Sequence, residues 1–221
     1  MTEFPERLKE LAAKTKGFMP EPEGLALFDH ALSVAKGVSG PIVEIGSYCG
    51  LSTLYLGEAA RILGRPFITI DHHRGSEEML PPSEFFDPEL LDPITGRFDS
   101  LATLRHTLEL ADLEDFVTVV VGESTLISGL IKAPIAALFI DGGHGSLATW
   151  NDFNYWAEKI DQEGLLMIHD VFADQNDGGR PPFEIYTYAI HMGDFFELAQ
   201  VGSLRVLKKI ADSKKDASAL A

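Results

Sequence analysis

The sequence predicts an α/β fold with a mostly parallel, seven-stranded sheet that closes in a C-terminal antiparallel hairpin. Three observations carry this. Short apolar, β-branched runs alternate with helical patterns along most of the chain, as in a buried parallel sheet. Five of those runs end at a glycine or an aspartate. The last two runs, on either side of Gly202 and Ser203, have too little chain between them for a helical crossover, so they pair as a hairpin.

Two helical patterns come first and make residues 1–40 an N-terminal helical segment. Over about 4–15, Leu8, Leu11 and Ala12 share one face. Phe28, Ala31, Leu32 and Ala35 then follow the i, i+3, i+4, i+7 spacing until Gly37 and Gly40. Residues 41–210 form the main domain. PIVEI (41–45) is a strand ending at Gly46, and LSTLYLGEAARILG is a helix. PFITI (66–70) is a strand ending at Asp71, and 100–113 is a helix. FVTVVV (116–121) and IAALFI (135–140) are strands ending at Gly122 and Asp141. Residues 146–160 are a helix, 164–170 a strand ending at Asp170, and 181–192 a helix. Residues 195–209 hold the hairpin, and 211–221 read as a frayed polar tail. Residues 74–98 fit no regular element. This acidic, proline-rich insertion is too long for a plain linker and reads as a lid or binding loop.

The chain has 221 residues, which suits one domain. Thirty-four acids against 18 bases give a net charge of −16. That surface repels phosphate backbones and anionic lipid, which argues against nucleic-acid and membrane partners. Cys49 is the single cysteine, so a disulfide within the chain and a cysteine-rich zinc site are excluded. The N-terminus lacks an apolar signal core, and the apolar runs are too short to span a bilayer, so a cytoplasmic location is expected.

In an open α/β sheet, ligands bind beyond the carboxyl ends of the strands. Here those ends are Glu44–Gly50, Asp71–His73, Gly122–Ser124, Asp141–His144 and His169–Asp170, rich in acids, histidines and glycines. In VEIGSYCGLST (43–53), Gly46 and Gly50 allow a tight turn, and the next helix offers its free N–H groups to an anionic end. The spacing is G-x-x-x-G, with Tyr48 where a dinucleotide site would place its second glycine. Asp71 ends the second strand, where an acid commonly accepts hydrogen bonds from ribose hydroxyls. Together they favour a nucleoside cofactor, and the glycine spacing favours S-adenosylmethionine over NAD.

With these residues the chain resembles the class I S-adenosylmethionine-dependent methyltransferases, on V-E-I-G-S-Y-C-G followed by I-D-H-H and over roughly 23–210. The resemblance implies a Rossmann-like fold. It places Glu44, Gly46, Ser47, Tyr48, Gly50 and Ser52 around the methionine part of the cofactor. It puts Asp71 on the ribose, Gly122, Glu123 and Ser124 near the adenine, and Asp141 beside the cofactor.

LFIDGGHGSLATWNDF (138–153) and LLMIHDVF (165–172) narrow the resemblance to metal-dependent sugar O-methyltransferases of the macrolide deoxysugar type. A narrower likeness, to actinobacterial enzymes acting on methylated mannose oligosaccharides, implies a mannose-type acceptor. This resemblance implies Mg²⁺ or another divalent cation on Asp141 and Asp170, with His144 removing the proton from the sugar hydroxyl. The group often carries two consecutive acids after the fifth strand, whereas Val171 follows Asp170 here. The third ligand is therefore open among Glu123, His169, Asp174 and water, with His169 carried forward. A homodimer is expected from the fold's habit of building contacts with its leading helices.

Elementary chemistry agrees. A sugar hydroxyl is almost wholly protonated at neutral pH, and imidazole titrates near that pH. Converging carboxylates repel unless a cation lies between them. Phe85 and Phe86 in the insertion offer rings for a sugar face, and the Asp174–Arg180 loop could close the site from the other side. A catechol or caffeoyl-type O-methyltransferase would share the fold but usually shows Asp-Asn where Asp170-Val171 stands. A non-catalytic S-adenosylmethionine-binding protein would not need Asp141, His144 and Asp170 together.

Overall fold

The computed structural model describes residues 2–79, 81–83, 85–132, 134–143, 145–174 and 178–210. Its sheet begins with β1 (Ile42–Ile45), whose four residues are all buried. An apolar run buried on both faces belongs in the middle of a sheet covered by helices. Strand β1 therefore lies between β2 (Phe67–Asp71) and β4 (Ile135–Ile140), parallel to both. Beyond β2 runs β3 (Val117–Val121), and beyond β4 runs β5 (Ile160–Ile168), both parallel. The hairpin β6 (Phe195–Val201) and β7 (Leu204–Lys209) completes the order β3-β2-β1-β4-β5-β7-β6, with β7 antiparallel to both neighbours. The expected fold class is the observed one.

Helices cover both faces. On one side α1 (Glu6–Ala12), α2 (Glu21–Leu32), α3 (Leu51–Leu63) and α4 (Leu101–Leu110) close a core around Leu54, Tyr55, Phe67 and Phe139. On the other, α5 (Ser124–Ser128), α6 (Ser146–Trp156) and α7 (Arg180–His191) close a core around Ile70, Leu138, Trp156 and Leu166. Each fully buried large side chain there contributes about 1.5–3 kcal/mol. The N-terminal segment is part of this body. Phe4 stacks on Tyr55 at 4.5 Å, and a side chain at Gly24 would collide with the Tyr55 ring.

Several boundaries differ from the sequence reading. The first helix is only Glu6–Ala12, because Pro5 holds an extended backbone at its start. The helix from Ser146 stops at Trp156 and tightens into a 3-10 turn over Ala157–Lys159. Strand β5 starts at Ile160, with an irregular register between Ile135 and Ala137 opposite it. Helix α5 was not foreseen, since five residues are too few to show a period. The described residues of the insertion 74–98 hold two 3-10 turns, Glu77–Met79 and Pro88–Leu90, and a bridge from Leu91 to Phe98. Its buried Leu90 and Phe98 pack with Cys49 in a small core of their own. The proposed tail, 211–221, lies outside the described residues.

Candidate active site

The strand order reverses at β1 and β4, and their loops leave in opposite directions there. A cavity of about 1050 Å³ opens at that point. Its walls come from the ends of β1 to β5 and from the insertion.

After β1 the backbone turns left-handed at Gly46 (φ 92°). A side chain at Gly46 would strike the carbonyl of Asp141, so the glycine lets two strand ends meet as well as freeing the cavity wall. Ser47, Tyr48 and Ser52 line the cavity. The buried Ser47 Oγ has no partner among the described residues, and neither has Ser76 Oγ on the same cavity wall. Buried hydroxyls of this kind ask for a ligand's polar groups.

Glu44 departs from expectation. It is fully buried and does not line the cavity. Ser52 Oγ (2.6 Å), Thr53 Oγ1 (2.7 Å) and Thr69 Oγ1 (2.6 Å) donate to its carboxylate. Burial pushes the group up to about 7, against the pull of those three hydroxyls. Glu44 therefore ties β1 to β2 and α3 beneath the floor. Gly50 likewise caps α3 and faces Leu104 and Thr107 rather than the cavity.

Asp71 lies on the cavity wall at the end of β2. Its Oδ2 accepts from Tyr48 N–H (2.9 Å) and its Oδ1 from His73 N–H (2.7 Å). A carboxylate offers about four acceptor positions, so this leaves room for a vicinal diol. His72 lines the cavity, whereas His73 is buried against Ser100 Oγ at 2.8 Å and pushed down by burial. Gly122, Glu123 and Ser124 form the wall beyond Asp71. Asp152 of α6 joins them, accepting from Ser124 Oγ. Burial, with Glu123 and Asp71 nearby, raises Asp152 to about 6. The sequence reading missed Asp152, because it sits inside a helix rather than at a strand end.

The opposite end is acidic too. Asp141, after β4, and Asp170, after β5, flank His169. One ligand atom from each of the three lies within 4.8 Å of the others. His169 Nδ1 is 3.0 Å from Asp141 Oδ1 and 3.4 Å from Asp170 Oδ1. Asp170 takes a left-handed backbone (φ 55°), which aspartate tolerates better than most residues. Two carboxylates and an imidazole suit a divalent cation. Of the proposed third ligands, His169 is the one in this group. Burial alone would push His169 down, yet Asp141, Asp170 and Glu23 hold its pKa well above the usual imidazole range. His144 lies outside the described residues, while Gly143 and Gly145 on either side of it line the cavity.

Residues 43–171 match the family model described as a methyltransferase domain, which is more than half of the chain. The chain belongs to this methyltransferase domain family.

Solved structures share the methyltransferase's fold at low identity. The SAH-bound methyltransferase PaMTH1 of Podospora anserina is 14% identical, with a TM-score of 0.65 over 96% of this chain and 90% of that one. The O-methyltransferase TomG of Streptomyces achromogenes, in complex with SAM, is 15% identical, with a TM-score of 0.64 over 94% and 91%. The O-methyltransferase NovP is 16% identical, with a TM-score of 0.68 over 93% and 97%.

The methyltransferase also has an aromatic wall. Phe18, from the loop before α2, packs edge-on to Phe85 at 5.4 Å and lies 5.7 Å from Tyr48. Phe18 and Phe85 are half exposed to the cavity, while Phe86 does not line it. Lys16 joins this loop to the insertion through Asp87 (2.5 Å) and Glu89 (2.6 Å). Phe172, Gly178 and Gly179 form the side next to Asp170, and 175–177 lie outside the described residues. No helix among the described residues is long and apolar enough to cross a membrane.

Proposed function

We propose that the chain transfers a methyl group from S-adenosylmethionine to a hydroxyl of a sugar or glycoside, with a mannose-type oligosaccharide as the specific acceptor. One observation carries this reading: Asp141, His169 and Asp170 converge at the end of a cavity whose facing wall is aromatic. A polar, acidic end suits a hydroxyl held beside a divalent cation, and exposed rings suit the apolar face of a sugar. Two of the solved structures named above are O-methyltransferases.

The residues divide the work. Asp71 receives the ribose hydroxyls, Ser47 Oγ meets a polar end of the cofactor, and Glu123 and Ser124 border the adenine. Asp141, Asp170 and His169 would hold a divalent cation, which would act there as a Lewis acid on the acceptor hydroxyl. His144 would take the hydroxyl proton, and bound S-adenosylmethionine would supply the methyl group. Phe18, Tyr48 and Phe85 fix the acceptor's orientation and keep water out.

The test is to incubate the protein with S-adenosylmethionine, Mg²⁺ or Mn²⁺ and a panel of saccharides, phenols and small acids. Mass spectrometry should find a gain of one methylene on a saccharide. Methylation of catechols alone would overturn the sugar reading.

A further inference from the structure

We propose that Glu23 is a positioning residue for the cation centre, holding the His169 ring by Nε2 so that Nδ1 faces Asp141 and Asp170. The inference rests on the metal-assisted reading above. Glu23 belongs to α2, outside the stretch matched to the family, and reaches its partners across 146 and 180 residues of chain. Its side chain is buried, and so is His169.

The hydrogen bonds settle the Nε2 side of the ring. Ser203 N–H donates to Glu23 Oε1 at 2.9 Å, and Ser203 Oγ lies 3.0 Å from Oε2. His169 Nε2 lies 2.7 Å from the same Oε2. A carboxylate only accepts, so Nε2 carries a hydrogen toward Glu23, and Nδ1, which in the metal-free ring donates to Asp141, is the nitrogen a cation between Asp141 and Asp170 would take in place of that proton. Nδ1 stands 3.0 Å from Asp141 Oδ1. The turn wraps the carboxylate closely, since a side chain at Gly202 would collide with Glu23 Oε1. A buried carboxylate is costly unless every oxygen is paired, and an apolar residue would fill the same space more cheaply. Its use is orientation. A carboxylate behind a ligating imidazole fixes the ring's tautomer and direction, and its loss commonly weakens metal binding about 10–100-fold. Because one donor is an imidazole, Mn²⁺ is a better probe of this centre than Mg²⁺, which prefers oxygen alone.

Glu23→Gln separates orientation from packing. The amide oxygen must still serve Ser203 N–H, which turns the amide NH₂ toward His169 Nε2. That donor demands a bare Nε2, which keeps the ring's hydrogen on Nδ1, against Asp141. Mn²⁺ binding to the full chain, read by electron paramagnetic resonance of free Mn²⁺, should weaken about 10–100-fold in Glu23→Gln. Ser203→Ala keeps the backbone donor and the Glu23–His169 contact, so it should bind Mn²⁺ like the wild type. Equal losses in both variants would mean that Glu23 merely docks the hairpin, and would overturn the proposal. Wild-type affinity in Glu23→Gln would overturn it while leaving the metal reading intact. A wild-type protein that binds no Mn²⁺ would remove both. Should Glu23→Gln fail to fold, long-range ¹H–¹⁵N spectra of the Zn²⁺-loaded wild type decide. They should show His169 protonated on Nε2, and protonation on Nδ1 would refute the proposal.

Discussion

Single side chains set the chemistry of this site, and burial decides what each can do. Asp141 and Asp170 stand at the cavity, where a cation or a hydroxyl can reach them. Glu44 lies a few residues away in sequence terms from Gly46, yet three hydroxyls enclose it below the floor. Its raised pKa has a consequence for stability. Between 4.5 and about 7 the folded protein holds a proton on Glu44 that the unfolded chain releases. The folded state therefore loses stability as pH rises through that window, and the loss levels off above it. Glu44→Gln removes the titration, so its melting temperature should fall less than the wild type's across the same pH range. Parallel curves for the two proteins would show that Glu44 is not protonated there. At the reaction itself, His144→Ala should lower kcat by about 100-fold or more while S-adenosylmethionine affinity, measured by calorimetry, stays near wild type. EDTA should abolish turnover, and activity persisting in EDTA would refute the cation's role.

Elements bring these side chains together. The loop before α2 and the insertion meet at Phe18 and Phe85, and Lys16 ties them through Asp87 and Glu89. These ion pairs are partly exposed, so their strength falls with salt. The aromatic wall predicts that Phe18→Ala raises the acceptor KM about tenfold, a loss of about 1.4 kcal/mol. Deleting 78–92 should raise it further, and unchanged acceptor kinetics in the deletion would remove the insertion from the mechanism. Lys16→Met should raise the acceptor KM less than Phe18→Ala does, and its KM should respond less to salt than the wild type's. Phe85 was legible as a ring in an acidic, proline-rich insertion. Phe18 and Lys16 were not, because nothing local in residues 16–18 tells that the chain folds back over the sheet's open end.

At the scale of the molecule, the acidity of the chain has a partial address. Asp71, Glu123, Asp141, Asp152 and Asp170 all line one cavity, which favours a cationic sulfonium and a divalent cation over an anionic acceptor. The helical layer that carries Glu23 depends on close contact between α2 and α3. Gly24 makes that contact possible, since any side chain there meets the Tyr55 ring. Gly24→Leu should destabilise the protein by about 1–3 kcal/mol, read as a lowered denaturation midpoint. A variant as stable as the wild type would show that the helices can separate without cost.

The sequence by itself determined the α/β class, the hairpin and the strand ends that face the cavity, because these follow from short-range periodicity and from the turn residues after each strand. It also placed Asp71, Asp141 and Asp170 at those ends. Only the tertiary structure decided which polar residues meet there. Glu44 points into the interior because Ser52, Thr53 and Thr69 surround it, although its position beside Gly46 suggests a ligand contact. Glu23 comes to His169 from 146 residues earlier in the chain, Ser203 holds Glu23 from 180 residues later, and Asp152 reaches Ser124 from inside a helix. Such pairings are set by how helices and the hairpin pack on the sheet, and a local pattern carries no record of them.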